Sequence, residues 1–286
     1  MKYEFIKQQS RYSTKRLCKL LNVSRSGYYD WLTRQLSNRA KSNHALAGKI
    51  ERLFNQHKGR YGSPRIYASL KRSGEQVSQY RVERLMREHK LVAGRTKRHK
   101  RTYIQRQQQQ SALNVLSRRF KALAPNMKWV SDITFIPTRE GYLYLATVVD
   151  LYSRAVVGWA MSKRINGQLV LDALDMAIQQ RGSPKGVLVH SDQGSQYTAE
   201  AYRNKLRAND MICSMSRKGE CHDNAVAESF FHTLKEELVS DEKYKTREDA
   251  KQSIFKYIEI YYNRQRLHST LGYEAPLEYE RMNAVA

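Results

Sequence analysis

The chain of 286 residues carries 51 Lys and Arg against 27 Asp and Glu, which gives a formal net charge of +24. Its 41% hydrophobic and 27% charged residues are typical of folded domains rather than of disordered or fibrous chains. The longest apolar run, Tyr142 to Val149, is far shorter than the ~20 residues that cross a bilayer, and the N-terminus has no apolar signal segment. Three scattered cysteines exclude a disulfide framework and a zinc finger. We therefore expect a reduced, cytoplasmic protein with no membrane partner.

The basic charge is concentrated in the first 120 residues. They carry 29 Lys and Arg against 6 Asp and Glu, whereas residues 121–286 carry 22 against 21. A net charge of +23 in one segment favours a polyanionic partner, so we expect this segment to bind nucleic acid. A soluble basic surface without a specific partner is the alternative. Membrane-surface binding is disfavoured, since no Lys-rich amphipathic helix with a bulky apolar face is present.

The first predicted unit is a pair of short helices joined by a tight turn. Leu17, Leu20 and Leu21 share one helical face, and Ser24 can cap the following helix. Polar and basic residues open this second helix, as in helix-turn-helix proteins. An ordinary helical hairpin explains the same pattern equally well.

The second predicted unit follows a helix near residues 45–56. Ser63 is interpreted as the N-cap of a helix with Pro64 at its first position, and Ser78 as the cap of the next helix. The stretch Arg95–Arg101 then contains five Lys and Arg in seven residues and is followed by a glutamine-rich linker. Two helical units in series favour a DNA-binding array.

From Lys128 the hydrophobic period changes from helical to alternating. The segments predicted as an antiparallel meander are KWVSDITFIPT, YLYLATVVDLYS and RAVVGWAMSK. They are followed by a helix (168–180), a strand (GVLVHSD), a helix (198–208), a strand (MICSMS) and helices over 224–239 and 246–262. This order of elements indicates an α/β domain that resembles the ribonuclease H fold.

Three carboxylates stand in contexts that suggest metal-dependent phosphodiester chemistry. Asp132 lies within a strand, Asp192 at the end of a buried strand, and Glu228 on a helix away from its apolar stripe. Two-metal catalysis needs such oxygen ligands converging on one point. Each carboxylate taken by itself has a simpler explanation, because a strand aspartate can cap a turn and a helical glutamate is usually solvated. The intervals of 59 and 35 residues between the three strengthen the catalytic interpretation.

Four motifs in fixed order carry a family resemblance: WVSDIT, HSDQGSQY, CHDNAVAESFFHTLKEE and YNRQRLHSTLGYEAP. Over essentially the whole chain, the sequence resembles the integrase-type transposases of bacterial insertion sequences. More narrowly, it is similar to the second-reading-frame product of the large two-frame family related to retroviral integrases. The resemblance implies that Asp132, Asp192 and Glu228 are the catalytic, metal-binding triad and that Lys235 is the accompanying basic residue.

The resemblance also implies an activity and its partners. The expected enzyme is a DDE transposase, a polynucleotidyl transferase that uses two Mg²⁺ ions, for which Mn²⁺ substitutes. It would cut and join the ends of an insertion sequence through a circular DNA intermediate. The expected partners are double-stranded DNA (terminal inverted repeats and target), further copies of the chain, and the product of the upstream frame. A non-catalytic DNA-binding regulator and a ribonuclease H-like nuclease without transfer activity are the rival interpretations.

The predicted architecture is a ribonuclease H-like, retroviral-integrase-type α/β core preceded by all-α helix-turn-helix modules. The expected divisions are a helix-turn-helix-like module (1–40), a second helical module with a basic tail (41–104), a linker (105–122), the catalytic core (123–240) and a helical extension (241–286). The expected DNA contacts are Arg25, Arg65, Arg95, Lys97, Arg98, Lys100, Arg101, Asn224 and Arg264.

Several other polar residues in the motifs have a structural and a functional interpretation. Asp150 is expected to support the fold rather than to bind metal. His190 either orients the site or is a hydrogen-bonded, half-buried histidine. Asn224 is expected to cap its helix in preference to touching DNA. Asn263 and His268 either pack against the core or hold DNA behind it.

Overall fold

The computed structural model describes residues 2–9, 11–35, 37–94, 112–217 and 220–284. The chain divides into two compact units, one from Met1 to Val92 and one from Ala93 to Ala286. The described part of the predicted linker (105–122), residues 112–122, therefore lies within the second unit. The finer division into five segments stays a prediction.

The first unit is helical, as predicted. Its helices are α1 (Lys2–Gln8), α2 (Thr14–Leu20), α3 (Arg25–Thr33), α4 (Asn38–Gln56), α5 (Ser63–Arg72) and α6 (Gln79–Glu88). The predicted caps Ser24 and Ser78 are confirmed, because their side chains accept hydrogen bonds from the backbone N–H groups of Gly27 and Arg81. Helices α1 to α3 share a small core around Ile6, Leu17, Cys18 and Tyr28.

Three details of this unit differ from the sequence predictions. Ser63 is the first residue of α5 rather than its cap, since Gly62 occupies the N-cap position and no side chain caps the helix. Leu20 does not belong to the buried face, because 78% of it is exposed at the end of α2. Helix α1 has no counterpart among the predicted elements, because its mixture of polar and aromatic residues has no clear apolar period.

The second unit is built on a five-stranded mixed sheet formed by the described residues. The strands are β1 (Lys128–Thr138), β2 (Gly141–Asp150), β3 (Val156–Ser162), β4 (Leu188–Ser191) and β5 (Ile212–Met215). They lie in the order β3-β2-β1-β4-β5. The predicted meander is confirmed by antiparallel β1–β2 and β2–β3 pairs, whereas β4 and β5 run parallel to β1.

The helices of this unit pack on the sheet and extend beyond it. They are α7 (Gly167–Gln180), α8 (Ser195–Thr198), α9 (Glu200–Ala208), α10 (Ala225–Leu234), α11 (Arg247–Phe255) and α12 (Pro276–Met282). The predicted helix over 198–208 is interrupted, because Ala199 is extended (ψ 140°) between α8 and α9. Helices α10 and α11 each continue into a π-helical segment, at Lys235–Val239 and Lys256–Tyr262. The helices predicted over 224–239 and 246–262 are therefore confirmed from Ala225 and Arg247 onwards, and the π-helical geometry of their second halves was not predicted.

Helix α7 packs very closely on β3. A Cβ atom at Gly158 would lie 2.2 Å from the Ala173 carbonyl oxygen and 2.7 Å from the Ala177 Cβ. No side chain fits in this space, so glycine sets the distance between the strand and the helix. The largest described core cluster, which includes Trp129, lies on this side of the sheet.

The C-terminal extension is attached to the sheet by specific polar contacts. The Asn263 side chain donates to the Val156 carbonyl at 2.9 Å and accepts from the Val156 N–H at 3.0 Å. Arg181 donates to both carboxylate oxygens of Glu280 at 2.7 Å. Asn263 therefore extends the hydrogen bonding of the edge strand β3, which agrees with the packing interpretation of this residue.

Across the described residues, none of the helices combines the length and the apolar character needed to span a membrane.

Candidate active site

The sheet register brings two of the three predicted carboxylates to one place. The parallel β1–β4 pair ends with Val130 opposite His190. Continuing the register by two residues puts Asp132 opposite Asp192, just beyond the carboxyl end of β4. The Asp132 side chain is half-buried and the Asp192 side chain is exposed, so both positions are reachable from solvent.

Local backbone bonds orient both carboxylates. The Asp132 Oδ1 atom accepts from the Ile133 N–H at 2.8 Å, and the Asp192 Oδ1 atom accepts from the Gly194 N–H at 2.9 Å. A Cβ atom at Gly194 would lie 2.9 Å from the same Asp192 oxygen. The glycine in the HSDQGSQY motif is therefore needed for the close approach of the backbone to the Asp192 carboxylate.

A buried tyrosine lies between the two aspartates and the helices. The Tyr197 hydroxyl is 3.0 Å from the Ser131 Oγ atom, and the side chain is 1% exposed. Burial, together with the charges of Tyr202, Asp132 and Asp192, raises the pKa of Tyr197 well above its ordinary value.

Glu228 lies on α10, whose start is tied to β1 beside Asp132. The Asn224 side chain donates to the Ser131 carbonyl at 3.1 Å and is 4% exposed. It makes no cap hydrogen bond, so the expected capping role is wrong. The expected DNA contact is also incompatible with this buried position. The preceding 3-10 turn, Cys221–Asn224, turns the Asn224 side chain towards the strand instead of the helix end.

The donor chemistry of the site fits a hard divalent cation, but only in part. Carboxylate oxygens such as those of Asp132 and Asp192 are the ligands that Mg²⁺ prefers. In the described part of the chain, however, no three His, Cys, Asp or Glu side chains converge closely enough to hold a metal ion. In this conformation, therefore, Asp132, Asp192 and the half-buried Glu228 on α10 are not assembled as one set of metal ligands.

Lys235 is the first residue of the π-helical segment that follows α10. Its Nζ atom lies 4.7 Å from the centroid of the Phe135 ring. Phe135 stands three residues after Asp132 on β1, which corresponds to about 10 Å along the strand. The ammonium therefore lies near the part of β1 that follows the end of its pairing with β4 at Val130.

A buried carboxylate that the sequence predictions missed fixes the segment before α10. Asp223 is 0% exposed and accepts hydrogen bonds from Asn114 (2.7 Å), Arg118 (2.7 Å) and the backbone of Arg217 (3.0 Å). Side-chain hydrogen bonds from Arg217 and Arg118 hold the pKa of Asp223 well below its usual range. The sequence signal that could have identified Asp223 is its position between His222 and Asn224 in the CHDN motif.

A buried ion pair that the sequence predictions also missed fixes the segment after α10. The Arg266 guanidinium donates to both oxygens of Glu237 at 2.7 to 3.0 Å, and the Tyr257 hydroxyl donates to Glu237 at 2.9 Å. Burial alone lowers the pKa of Arg266, but the bonds and charge of Glu237 raise it overall. This pair joins the C-terminal YNRQRLHSTLGYEAP motif to the Lys235–Val239 segment.

Asp150 and His190 are both buried and hydrogen-bonded within the fold. The Asp150 carboxylate is 0% exposed and accepts from the N–H groups of Asn126 (2.7 Å) and Tyr152 (2.8 Å), in agreement with the expected support of the fold. His190 is also 0% exposed, and its ring nitrogens lie 2.8 and 3.1 Å from the hydroxyls of Ser214 and Ser216. Burial lowers the pKa of His190 to about 4, so the ring is neutral at pH 7.

The predicted DNA contacts fall into two groups. Arg25, the first residue of α3, and Arg264 are exposed, and Arg65 is half-buried with its guanidinium 5.5 Å from the Tyr61 ring centroid. Five further predicted contacts lie outside the described residues: Arg95, Lys97, Arg98, Lys100 and Arg101. His268 in the C-terminal motif is half-buried, and its Nδ1 atom lies 2.9 Å from the Thr270 hydroxyl.

Comparisons with known proteins agree with this architecture. Two integrase core domain models match residues 122–221 and 228–283, and an HTH-like domain model matches residues 41–100. The chain is similar to the HTLV-2 integrase catalytic core domain in complex with magnesium at 16% identity, over 55% of this chain and 98% of that one, with a TM-score of 0.43.

Similarity to transposases extends over the full length. The chain is 40% identical to Transposase InsF for insertion sequence IS3A of Escherichia coli (strain K12), covering 99% of both chains. It is 43% identical to Transposase for insertion sequence element IS904 of Lactococcus lactis subsp. lactis (strain IL1403), covering 88% of this chain and 99% of that one. Polynucleotidyl transfer is the activity of such proteins. With an HTH-like region, an integrase core and this identity over its whole length, the chain belongs to the insertion-sequence transposases with an integrase core domain.

Proposed function

We propose that Asp132, Asp192 and Glu228 are the catalytic carboxylates of this transposase and that they act with two divalent cations, Mg²⁺ or Mn²⁺. The observation that supports the proposal is the register of β1 and β4, which pairs Val130 with His190, so that Asp132 and Asp192 each lie two residues beyond this pair. Helix α10, which bears Glu228, is bound to the same strand through Asn224 and Ser131.

The chain's own residues have defined tasks in this mechanism. Asp132 and Asp192 would hold the cations through their carboxylate oxygens, and Glu228 would supply the third carboxylate. When bound, such cations polarise a phosphate and favour ionisation of an attacking hydroxyl. The protein holds the DNA phosphate in line with the attacking water or 3′-OH, and forms no covalent bond to the DNA.

The DNA would be bound mainly by the first unit and the basic stretch after it. Exposed arginines at helix starts, such as Arg25 on α3, can donate to phosphates together with the helix N-terminal N–H groups. The matched HTH-like region supports recognition of the terminal inverted repeats. Assembly of several copies on the DNA, cooperation with the upstream-frame product and a circular intermediate belong to the same proposal.

Conservative substitutions test the carboxylate assignment. Asp132→Asn, Asp192→Asn and Glu228→Gln should each abolish cleavage and strand transfer on an element-end duplex, because each removes a charged ligand with little change in volume. The matched control is Asp210→Asn, which alters an exposed aspartate paired with Lys185 at the surface. All variants should bind the duplex with wild-type affinity. Near wild-type transfer by any of the three would remove that residue from the triad.

Two substitutions, one that removes the charge of Lys235 and one that keeps it, test the function of this residue. If its ammonium contacts the backbone of the bound DNA, Lys235→Ala should strongly reduce strand transfer while the fold and DNA binding by the first unit persist. Lys235→Arg should recover part of the activity, because the charge is kept although the donor geometry differs. A fully active alanine variant would identify Lys235 as an ordinary surface residue, whose ion pairs are worth a fraction of ~1 kcal/mol.

The proposed phosphate contacts predict the salt dependence of DNA binding. If six to ten phosphates are contacted, the affinity of the full chain should fall by about 10³- to 10⁵-fold between about 50 and 200 mM salt. Arg25→Gln or Arg65→Gln should each reduce the slope of log affinity against log salt by about one. Lys185→Gln, a surface lysine of the second unit paired with Asp210, should leave the slope unchanged. A slope near zero for the wild-type chain would contradict this assignment.

A further inference from the structure

Two large aromatic side chains are exposed on β1 and β2, farther along the paired strands than Asp132. Phe135 on β1 is 51% exposed and Tyr142 on β2 is 53% exposed. Their ring centroids are 5.0 Å apart with an interplanar angle of 64°, and Tyr142 is in turn 6.5 Å from Tyr144. Buried aromatic rings are a large source of core stability, so two rings left half in water are not explained by the packing of this sheet.

The surroundings of the Phe135–Tyr142 pair are open and positively charged. The pairing of β1 with β4 ends at Val130, so the edge of β1 from Ser131 onwards carries no strand among the described residues. The Lys235 ammonium reaches this edge and lies 4.7 Å from the Phe135 ring centroid. An apolar ring and an adjacent cation therefore lie at the open edge of the strand that bears Asp132, with Phe135 on the opposite face of the sheet from this carboxylate.

We propose that the Phe135–Tyr142 pair stacks against an unpaired base at the end of the bound DNA, an inference that rests on the proposed function of the carboxylates. Phe135 has no hydrogen-bonding group, so it cannot read the edge of a paired base. Its partner must present a flat apolar face, and the charge of Lys235 favours an anion attached to it. A nucleotide combines a base face with a phosphate, and the base face becomes available only when the base leaves the duplex stack.

The position on β1 gives the stacking a use in the reaction. Phe135 lies about 10 Å along the strand from Asp132 and projects from the opposite face of the sheet, so a base held on its ring lies at the open edge of β1, about 10 Å or more from the phosphate at the carboxylates. Stacking would stabilise the separated state of a terminal base pair and thereby expose that phosphate. Phe135 and Tyr142 are thus positioning residues for the DNA end, and Lys235 serves both the ring and the backbone.

Binding of the full-length protein to two DNA probes tests this inference without catalysis. One probe is a short element-end duplex with an unpaired 2-aminopurine at its terminus, and the other is the same duplex with each terminus closed by a hairpin. Both are measured in the absence of divalent cations. Phe135→Leu should weaken binding of the open probe by about 5- to 150-fold, the range for one base stacked on one ring, and should abolish the change in 2-aminopurine fluorescence.

The same experiment includes variants that separate stacking from folding. Phe135→Tyr should retain the fluorescence change, because it keeps an aromatic face. Phe255→Leu should bind both probes like the wild-type protein, because Phe255 is similarly exposed (47%) but contacts Trp159 on β3. An equal loss on the open and closed probes in Phe135→Leu, or no loss on either, would overturn the proposal. So would a loss of the signal in Phe135→Tyr.

The outcome is independent of the carboxylate assignment. Asp132→Asn should give the wild-type fluorescence change on the open probe, since no cation is present and the aromatic pair is intact. If that variant also kept full strand-transfer activity, the proposed catalytic function would fail while the stacking site would stand. If Phe135→Leu behaved like the wild type in binding while Asp132→Asn was inactive, the stacking site would fail and the catalytic assignment would stand.

Discussion

The buried ion pair between Glu237 and Arg266 predicts a large and strongly non-additive loss of stability. Only 6% of the Arg266 side chain and 11% of the Glu237 side chain are exposed. Removing one partner leaves the other charge buried without compensation, which costs about 3–5 kcal/mol. We therefore expect Arg266→Met and Glu237→Leu each to lower the free energy of unfolding of the second unit by about 3–5 kcal/mol.

The double variant carries the stronger prediction. Replacing both charges by apolar side chains removes the desolvation cost of the pair, so the double variant should be more stable than either single one. A remaining loss of about 1–3 kcal/mol is expected because the Tyr257 hydroxyl loses Glu237 as its acceptor. Adding Tyr257→Phe to the double variant should recover part of this remainder.

Urea unfolding followed by tryptophan fluorescence measures these losses. The chain has three tryptophans, and in a Trp31→Phe background the remaining two, Trp129 and Trp159, both report on the sheet. The background protein is the reference for every variant. If the double variant lost as much stability as the two single variants together, Glu237 and Arg266 would not act as a coupled pair, and the reasoning would be refuted.

Three further variants test the other buried contacts of the second unit. Asp223→Asn should cost about 2–3 kcal/mol at neutral pH. Because the pKa of Asp223 is depressed, its stabilisation is full above the ordinary aspartate pKa near 3.9 and is lost progressively as the pH falls towards the native pKa, so the stability difference between the two proteins in urea unfolding should shrink steadily below about pH 4. Asn263→Ala should cost about 2–4 kcal/mol, because both backbone groups of Val156 lose a partner, and a neutral effect would contradict this. Gly158→Ala should cost at least about 3 kcal/mol, whereas Gly167→Ala, which has open space around its Cβ position, should be almost neutral by thermal unfolding.

The sequence predicted the strands well because their signals are local. The segment KWVSDITFIPT combines alternation with β-branched residues, and β1 covers all of it, from Lys128 to Thr138. Serine caps such as Ser24 and Ser78 also depend on neighbours within three residues, and both hold. The parallel pairing of β1 with β4 is a contact between distant segments. It became predictable only as part of the resemblance to a known family.

The errors occur where long-range contacts decide the local conformation. Asn224 has a side chain suited to capping, but a carbonyl of β1 lies within its reach and takes the hydrogen bond. The apolar period of the helix continues through Lys235–Val239, yet the backbone there is π-helical, in the same segment in which Glu237 is bonded to Arg266 and Tyr257. Arg266 lies 29 residues from its partner, so no local pattern identifies the pair.

Asp223 and Glu237, the two buried carboxylates that the sequence predictions missed, hold the two ends of the segment that carries Glu228. Asp223 fixes the chain just before α10, and Glu237 fixes it just after, while Asn224 binds the start of the helix to β1. Moving α10 as a body would break these contacts at both ends, at a cost of several kcal/mol by the magnitudes above. Rotation of the Glu228 side chain between staggered rotamers leaves these contacts in place. We therefore expect cation binding to reorient the Glu228 side chain while the backbone of α10 stays in place.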